Sequence, residues 1–278
     1  MKLTVQGALT MGTQWLAEAG IDGPARDARL LMAACLCIDP SRVTLQLNDP
    51  FDDVAEAVFF ADILDRITCK PISHILGHRA FWGRKFSVTP DVLDPRPETE
   101  SLIAAALDVP FRDVLDLGTG SGCILVTLLA ERSAAVRIGA DVSLAALDVA
   151  SRNARELGVE ARCAFEESSW FTAIGGQFDL IVSNPPYIAS DEMAGLSKEL
   201  SFEPRMALTD EGDGLSCYRI ICGGALPYLN DGGWLMVEIG PTQGDSVASM
   251  MKANGLANVE IRPDLDGRDR VVMGQKPQ

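Results

Sequence analysis

The stretch VLDLGTGSGC, residues 114–123, leaves this chain few ways to fold. Val114, Leu115 and Leu117 make an apolar strand, Gly118, Gly120 and Gly122 follow two apart, and the apolar run from Ile124 continues as a helix. Glycines let a backbone turn sharply and approach a bound group, and the helix behind them offers unsatisfied N–H groups at its start. Gly118, Thr119, Gly120, Ser121 and Gly122 are therefore a candidate cradle for a nucleotide-like cofactor. The spacing is GxGxG, with Cys123 where the dinucleotide fingerprint GxGxxG puts its third glycine, which counts against a dehydrogenase. Alone, the stretch also fits a tight strand-to-helix turn of any α/β protein.

The surroundings extend the pattern. After Thr99 helical and strand-like stretches alternate: strands over 113–117, 137–141, 178–183 and 233–239, helices from Ser101, Gly122 and Leu144, over 218–229 and from Gln243. Such alternation predicts a mostly parallel sheet covered by helices on both faces. A final strand pair at 259–262 and 270–273 is joined by PDLDGRD, too short for a crossover, so it should be antiparallel. Ahead of this lie three or four helices within residues 5–68. Their apolar residues recur three and four apart, in Ala28, Leu31, Met32 and Cys35 and in Val54, Val58, Ala61 and Leu64. Between them, FWGRKFSVTPDVLDPRP alternates at Phe86 and Val88, and its prolines forbid helix. The plan is a small all-helical domain over 1–75, a β-hairpin linker over 76–97 and an α/β domain over 98–278.

Two further residue sets lie where such a sheet binds ligands. Asp141 ends the predicted strand after the glycines and could accept hydrogen bonds from both hydroxyls of a ribose; it could equally cap the helix from Leu144. Asn184, Pro185, Pro186 and Tyr187 follow the apolar strand FDLIVS directly. Two prolines make the exit from the strand rigid and extended. There the Asn184 carboxamide oxygen and the Pro185 carbonyl can both accept from one NH2 group while the Tyr187 ring covers its flat face. A rigid Pro-Pro turn with a half-buried Tyr is the simpler alternative. Smaller signals point to ordinary structure. His74 and His78 are four apart, but Gly77 and nearby prolines disfavour a helix there, so no metal site is expected; Glu98 and Glu100 fit first-turn acids of a helix starting near Thr99.

Charge narrows the partners. The net charge of -15 falls on both parts, -3 over residues 1–80 and -12 beyond, so no basic face for nucleic acid is in view. Apolar runs stay well short of the roughly 18 residues of a membrane span. Gln6, Thr10, Thr13, Gln14 and Glu18 interrupt any signal-peptide core, so a cytoplasmic protein is expected. Seven cysteines without a zinc-type spacing read as reduced thiols.

With these segments in place, the chain resembles the amino-group methyltransferases that carry an NPPY motif and, within them, the peptide chain release factor N5-glutamine methyltransferases. The resemblance runs from about Pro71 to Val272 through PISHILGHRAFWG, VLDPRPETE, VLDLGTGSGC, DLIVSNPPYI, SFEPRMAL, GDGL and GWLMVEIG. The glycine and NPPY motifs are shared with DNA and RNA methyltransferases; PRPETE with the helical N-terminal domain is the more specific part. Asp94, Ser169 and His74 depart from residues usual in that family. The resemblance implies a seven-stranded, Rossmann-like class I methyltransferase sheet and S-adenosyl-L-methionine as cofactor, in a pocket involving Gly118, Gly120, Gly122, Asp141, Trp170 and Asn184. It further implies a substrate loop of Asn184, Pro185, Pro186 and Tyr187, with Asn184, Pro185 and Tyr187 catalytic. The implied partner is a class 1 peptide chain release factor, methylated on the glutamine amide of its GGQ tripeptide. A nucleic-acid amino methyltransferase and a non-catalytic S-adenosylmethionine-binding protein are the competing readings.

Overall fold

The computed structural model describes residues 2–278, which divide into two compact units. One runs to Gly77 and takes in Lys198–Phe202; the other is His78–Ser197 with Glu203–Gln278.

In the first unit α1 (Val5–Glu18), α2 (Pro24–Cys35), α3 (Asp53–Ile67) and the short α4 (Ile72–Leu76) surround a core that includes Leu16, Leu31, Met32, Phe59 and Ile63. Their starts are written locally: Thr4 accepts from the Gly7 N–H, Pro24 takes the first position of α2, and Asp52 accepts from the N–H groups of Val54 and Ala55. In α2 the buried face is the expected one, with Ala28, Leu31 and Met32 inside. In α3 it is not. Val54, Val58 and Leu64 are exposed, Val54 at 74%, while Phe59 and Ile63 are buried. The helix carries apolar residues on two sides, and turning Phe59 and Ile63 inward removes more apolar surface from water than turning the valines would. Arg66 shares that inner face and pairs with the buried Asp27 at 2.8 Å. It also donates to the Lys70 carbonyl at 3.1 Å and bonds Glu199, which pins the segment Lys198–Phe202 to this unit. The helix α4 was not expected. Pro71 precedes its first turn, where a missing N–H is harmless, and Gly77 at φ 72° ends it. His74 therefore lies in a helix and His78 in the strand after it.

The second unit opens with an antiparallel hairpin, β1 (His78–Phe81) and β2 (Arg84–Ser87), turned by Trp82 and Gly83. Then follow α5 (Glu100–Leu107), β3 (Asp113–Leu117), α6 (Cys123–Glu131), β4 (Val136–Asp141), α7 (Leu144–Glu156), β5 (Cys163–Glu167) and β6 (Phe178–Ser183). The chain ends with α8 (Ser216–Gly224), β7 (Leu229–Glu238), α9 (Gly244–Ala253), β8 (Ala257–Pro263) and β9 (Asp269–Gln275). The seven strands of the main sheet lie in the order β5-β4-β3-β6-β7-β9-β8, parallel from β5 to β7, with β9 antiparallel to both its neighbours. Strand β5 was not anticipated. The helix α8 stops five residues before the expected end, at Gly223 and Gly224 and ahead of Pro227.

Alternation along the central strands builds two cores. Val114, Leu180 and Met236 face Leu102, Ile124 and Leu128, which places α5 and α6 on one side. Leu115, Ile181 and Leu235 face Tyr218, Ile221 and Met251, which places α8 and α9 on the other. The hairpin belongs to the first of these cores. Phe81 and Phe86 meet edge to face at 5.9 Å, Glu100 accepts from the Trp82 N–H at 2.7 Å, and the Asn153 side chain accepts from the Ser87 N–H at 2.7 Å. Among the described residues no helix is long and apolar enough to cross a membrane.

Candidate active site

From β3 the chain runs outward to β4 and β5 and returns as β6 on the other side of β3, so the connections that follow β3 and β6 lead to opposite sides of the sheet. That divergence makes the crevice in which open α/β sheets bind ligands. Leu117 and Ser183 are direct partners in the register, and the Ser183 hydroxyl donates to the Leu117 carbonyl at 2.7 Å. The glycine segment and the Asn-Pro-Pro-Tyr segment therefore leave the sheet side by side.

The glycine turn is held from several directions. The N–H groups of Gly118 and Thr119 donate to the Ala140 carbonyl at 2.8 and 2.9 Å, and the Asn153 amide donates to the Ser121 carbonyl at 2.8 Å. Gly118, Gly120 and Gly122 all have positive φ, at 69°, 53° and 77°, a region a side chain makes costly. Gly122 adds a steric reason, since a Cβ there would stand 3.1 Å from the Ala150 side chain and 3.2 Å from its Cα. Beneath the turn the fully buried Asp116 accepts from the Thr119 hydroxyl at 2.7 Å and from the Leu125 N–H at 3.3 Å. Burial pushes its carboxyl up to about 7.

At the end of β4, Asp141 accepts from the Gly120 N–H and from the Ser143 N–H, both at 2.9 Å. The cap of α7 is Ser143, whose side chain accepts from the Ala146 N–H, so Asp141 is not spent on capping. Trp170 has φ 53°, an uncommon conformation for a bulky residue, of the kind that concentrates at functional sites. Ser168 holds it there, donating to the Trp170 carbonyl at 2.9 Å and accepting from the Ala173 N–H at 3.0 Å.

Asn184 donates its side-chain NH2 to the Thr99 hydroxyl at 3.2 Å. Further along the turn, Gln243 donates to the carbonyls of Tyr187 at 2.9 Å and Gly214 at 3.1 Å, and accepts from the Gly240 N–H at 3.0 Å. Gly214 lies so close that a Cβ would stand 2.4 Å from the Tyr187 carbonyl oxygen. The Tyr187 ring packs against the core that holds Tyr218 and Val237, and burial pushes its hydroxyl up to about 12.

A cavity of about 360 Å³ joins these parts, within the range of small-molecule pockets. Gly118, Thr119, Gly120, Ser121, Asp141, Trp170, Asn184 and Pro186 line it. Gly122, Pro185 and Tyr187 do not: Gly122 is taken up by packing on Ala150, and Tyr187 by the core and the Gln243 clamp. Thr99 lines it too, and so do Asp94 and Arg96 of the PRPETE region. Glu203 ties that region down, accepting from the Asp94 N–H at 3.2 Å and from Arg96 at 2.5 Å. Thr99, Asn153, Glu203 and Gln243 went unnoticed in the sequence. The PRPETE and SFEPRMAL segments of the resemblance, which contain Thr99 and Glu203, were the signals that pointed near those two.

The cavity suits an adenosyl cofactor on its own chemistry. It has a glycine turn without side chains, a carboxylate at the end of the next strand and an indole in its wall. Comparison with known proteins agrees. Residues 7–77 match the model of the PrmC N-terminal domain and residues 96–216 that of the methyltransferase small domain. The release factor glutamine methyltransferase of Cereibacter sphaeroides is 55% identical over 271 residues, covering 97% of this chain and 98% of that one. Its namesake in Rhodospirillum rubrum is 43% identical over 272 residues, covering 96% and 84%. A methyltransferase from Pyrococcus furiosus shares the fold, with a TM-score of 0.55 at 16% identity over 79% of this chain and 98% of that one. With its similarity running nearly end to end, this chain belongs to the release factor glutamine methyltransferases.

Proposed function

We propose that this protein transfers a methyl group from S-adenosylmethionine to the side-chain amide nitrogen of the glutamine in the GGQ tripeptide of class 1 peptide chain release factors. The observation that carries the reading is the orientation of Asn184. Its NH2 is committed to Thr99, which leaves its carbonyl oxygen as an acceptor at the wall of the cavity lined by Gly118 to Ser121 and Asp141.

When bound, S-adenosylmethionine supplies an electrophilic methyl on a sulfonium. Asp141 would accept from the ribose hydroxyls, the turn from Gly118 to Ser121 would let the cofactor approach the backbone closely, and Trp170 would wall the pocket. The protein's main task is then to hold the acceptor nitrogen within about 3–3.5 Å of the methyl carbon. An amide nitrogen is a poor nucleophile because its lone pair is delocalised into the carbonyl. Asn184 Oδ1 and the Pro185 carbonyl accept from the NH2 and stabilise the positive charge that grows on nitrogen as it attacks, a preorganised dipole effect. As the new N–C bond forms, the methyl–sulfur bond breaks with its electron pair left on sulfur, and the nitrogen then loses its proton to solvent water. Pro185, Pro186 and Tyr187 are assigned by their place in the turn beside Asn184: the prolines stiffen it, and Tyr187, held against the core outside the cavity lining, anchors its far end. The net charge of -15 speaks against a nucleic-acid substrate, and a release factor substrate fits a reaction in the cytoplasm.

The test is mass spectrometry of a release factor's GGQ peptide after incubation with enzyme and cofactor, with tRNA, rRNA and DNA offered in parallel. Gain of one methyl on the glutamine is expected. Methylation of a nucleic acid instead, or of nothing, would overturn the reading.

A further inference from the structure

A carboxamide has an accepting end and a donating end, and only the accepting end can receive the N–H of a substrate amide. In Asn184 the choice is made by Thr99, whose hydroxyl receives the Asn184 NH2 at 3.2 Å. A hydroxyl has a single proton and two lone pairs. Having accepted from Asn184, Thr99, only 1% exposed, must place its own proton on another acceptor. The Glu238 carboxyl is the candidate acceptor, since the Thr99 side chain acts on it to favour its ionised form. Ser183 and Val237 are direct partners in the register of β6 and β7, so Asn184, just past the end of β6, and Glu238, the last residue of β7, follow that pair.

Glu238 is an improbable residue for packing alone. It is 1% exposed at the end of a strand that is otherwise apolar there, and its Oε2 has no hydrogen-bond partner. Nearby Arg270 spends its guanidinium on the Ile239 carbonyl at 3.0 Å and on Asp264 at 3.4 Å. A buried carboxyl so weakly satisfied is unfavourable, and an apolar residue would be easier to bury.

We propose that Glu238 and Thr99 form a positioning relay, in which Glu238 takes the Thr99 proton, Thr99 takes an Asn184 amide proton, and the Asn184 oxygen is thereby held toward the cavity as the acceptor for the substrate NH2. The inference rests on the role given to Asn184 above. It makes Thr99 and Glu238 positioning residues for methyl transfer and not merely parts of the core.

The relay has a polarity. An ionised Glu238 can only accept, which fixes the direction of both bonds; a protonated Glu238 can donate to Thr99, which frees the Thr99 proton to turn toward Asn184 and favours the flipped amide. Burial pushes the Glu238 carboxyl up to about 7, with Arg270 and Arg96 pulling it down and Glu98 adding to the rise. Tyr187, Tyr218 and Cys123 also lie within its field. The rate should therefore climb with pH through the neutral range.

The test is steady-state methylation of a full-length release factor by the full-length enzyme carrying Thr99→Val, Thr99→Ser, Glu238→Gln or Thr99→Val with Glu238→Gln. Thr99→Val should lower kcat about 10- to 100-fold, the scale of a misplaced reacting group. Thr99→Ser, which keeps the hydroxyl, should stay near the unmodified enzyme. The double variant should lose no more than Thr99→Val alone, because the two residues act in series. Glu238→Gln should flatten the rise of kcat through neutral pH. An unimpaired Thr99→Val, a Thr99→Ser as damaged as the valine variant, or additive losses would overturn the relay. Should Thr99→Val fail to fold, the Glu238→Gln pH profile decides, since a rise that survives the substitution refutes the proposal. Asn184→Ala separates the two levels: if it is fully active the site reading itself fails, whereas an impaired Asn184→Ala beside an unimpaired Thr99→Val defeats the relay alone.

Discussion

Replacing Asp141 by alanine should weaken cofactor binding by about one to two orders of magnitude while leaving the cofactor-free fold almost unchanged. Each carboxylate oxygen already accepts one backbone N–H at 2.9 Å, from Gly120 and from Ser143. An ionised carboxylate has about two acceptor sites per oxygen, so each oxygen keeps one for a ribose hydroxyl. A hydrogen bond to a charged group is worth about 1.5–3 kcal/mol. Two such bonds share one charge at a half-buried side chain, so the value of a single bond is the sounder total. At 1.4 kcal/mol per decade this raises Kd about 10- to 150-fold. Loss of the carboxylate leaves the Gly120 and Ser143 N–H groups beside an open cavity where water replaces it, so the unfolding midpoint without ligand should barely move. Calorimetric titration with S-adenosylhomocysteine reads the affinity without turnover, and a thermal melt supplies the control. An unchanged Kd would show that the carboxylate does not hold the ribose. A large fall in the ligand-free melting temperature would show that Asp141 works chiefly as a structural tie.

Four further outcomes are expected. Asn184→Ala should lower kcat by about 10²–10³-fold, as for loss of one preorganised partner, with cofactor affinity by calorimetry much less affected. Gly214→Ala puts a methyl 2.4 Å from the Tyr187 carbonyl at φ 73°, adding about 1–2 kcal/mol of backbone strain and shifting the turn; kcat should fall in a methyl-transfer assay while Kd for cofactor holds. Arg66→Ala leaves Asp27 buried and short of its main partner, and urea unfolding of the helical unit should show a loss of about 3 kcal/mol, the low end for such pairs because Arg26 still reaches Asp27. Asp116 has its carboxyl raised from 3.8 to about 7 by burial, so the folded protein holds a proton the unfolded chain releases near 4. Its contribution to stability is then full below about 4 and is lost as pH rises through about 7, at up to about 1.4 kcal/mol per pH unit. Asp116→Asn should flatten that fall in denaturation measured from pH 5 to 8, and an unchanged slope would place the titration elsewhere.

Much of this protein is local. Strands β3 and β6 lie at the residues expected of them because buried parallel strands are short apolar runs, here cut off by Gly118 and by Asn184-Pro185. The glycine turn, the acid at the end of the following strand and the double-proline exit likewise each depend on residues adjacent in the chain, and so were legible before any fold was known. Strand β5 was not, because CAFEE is a half-buried edge with two glutamates and becomes a strand only by pairing with β4. The face of α3 was misjudged for a related reason: Val54 and Phe59 are equally apolar in pattern, and only competition for one core turned Phe59 inward. The supports of the site are likewise nonlocal. Thr99 reaches Asn184 across 85 residues, Gln243 reaches Tyr187 across 56, and Asn153 reaches Ser121 across 32. The sequence by itself thus determined which segments turn sharply at the C-terminal edge of the sheet, because turn chemistry acts between neighbours. Tertiary structure alone decided how those groups are aimed, because a buried hydrogen bond exists only when folding brings its two ends together.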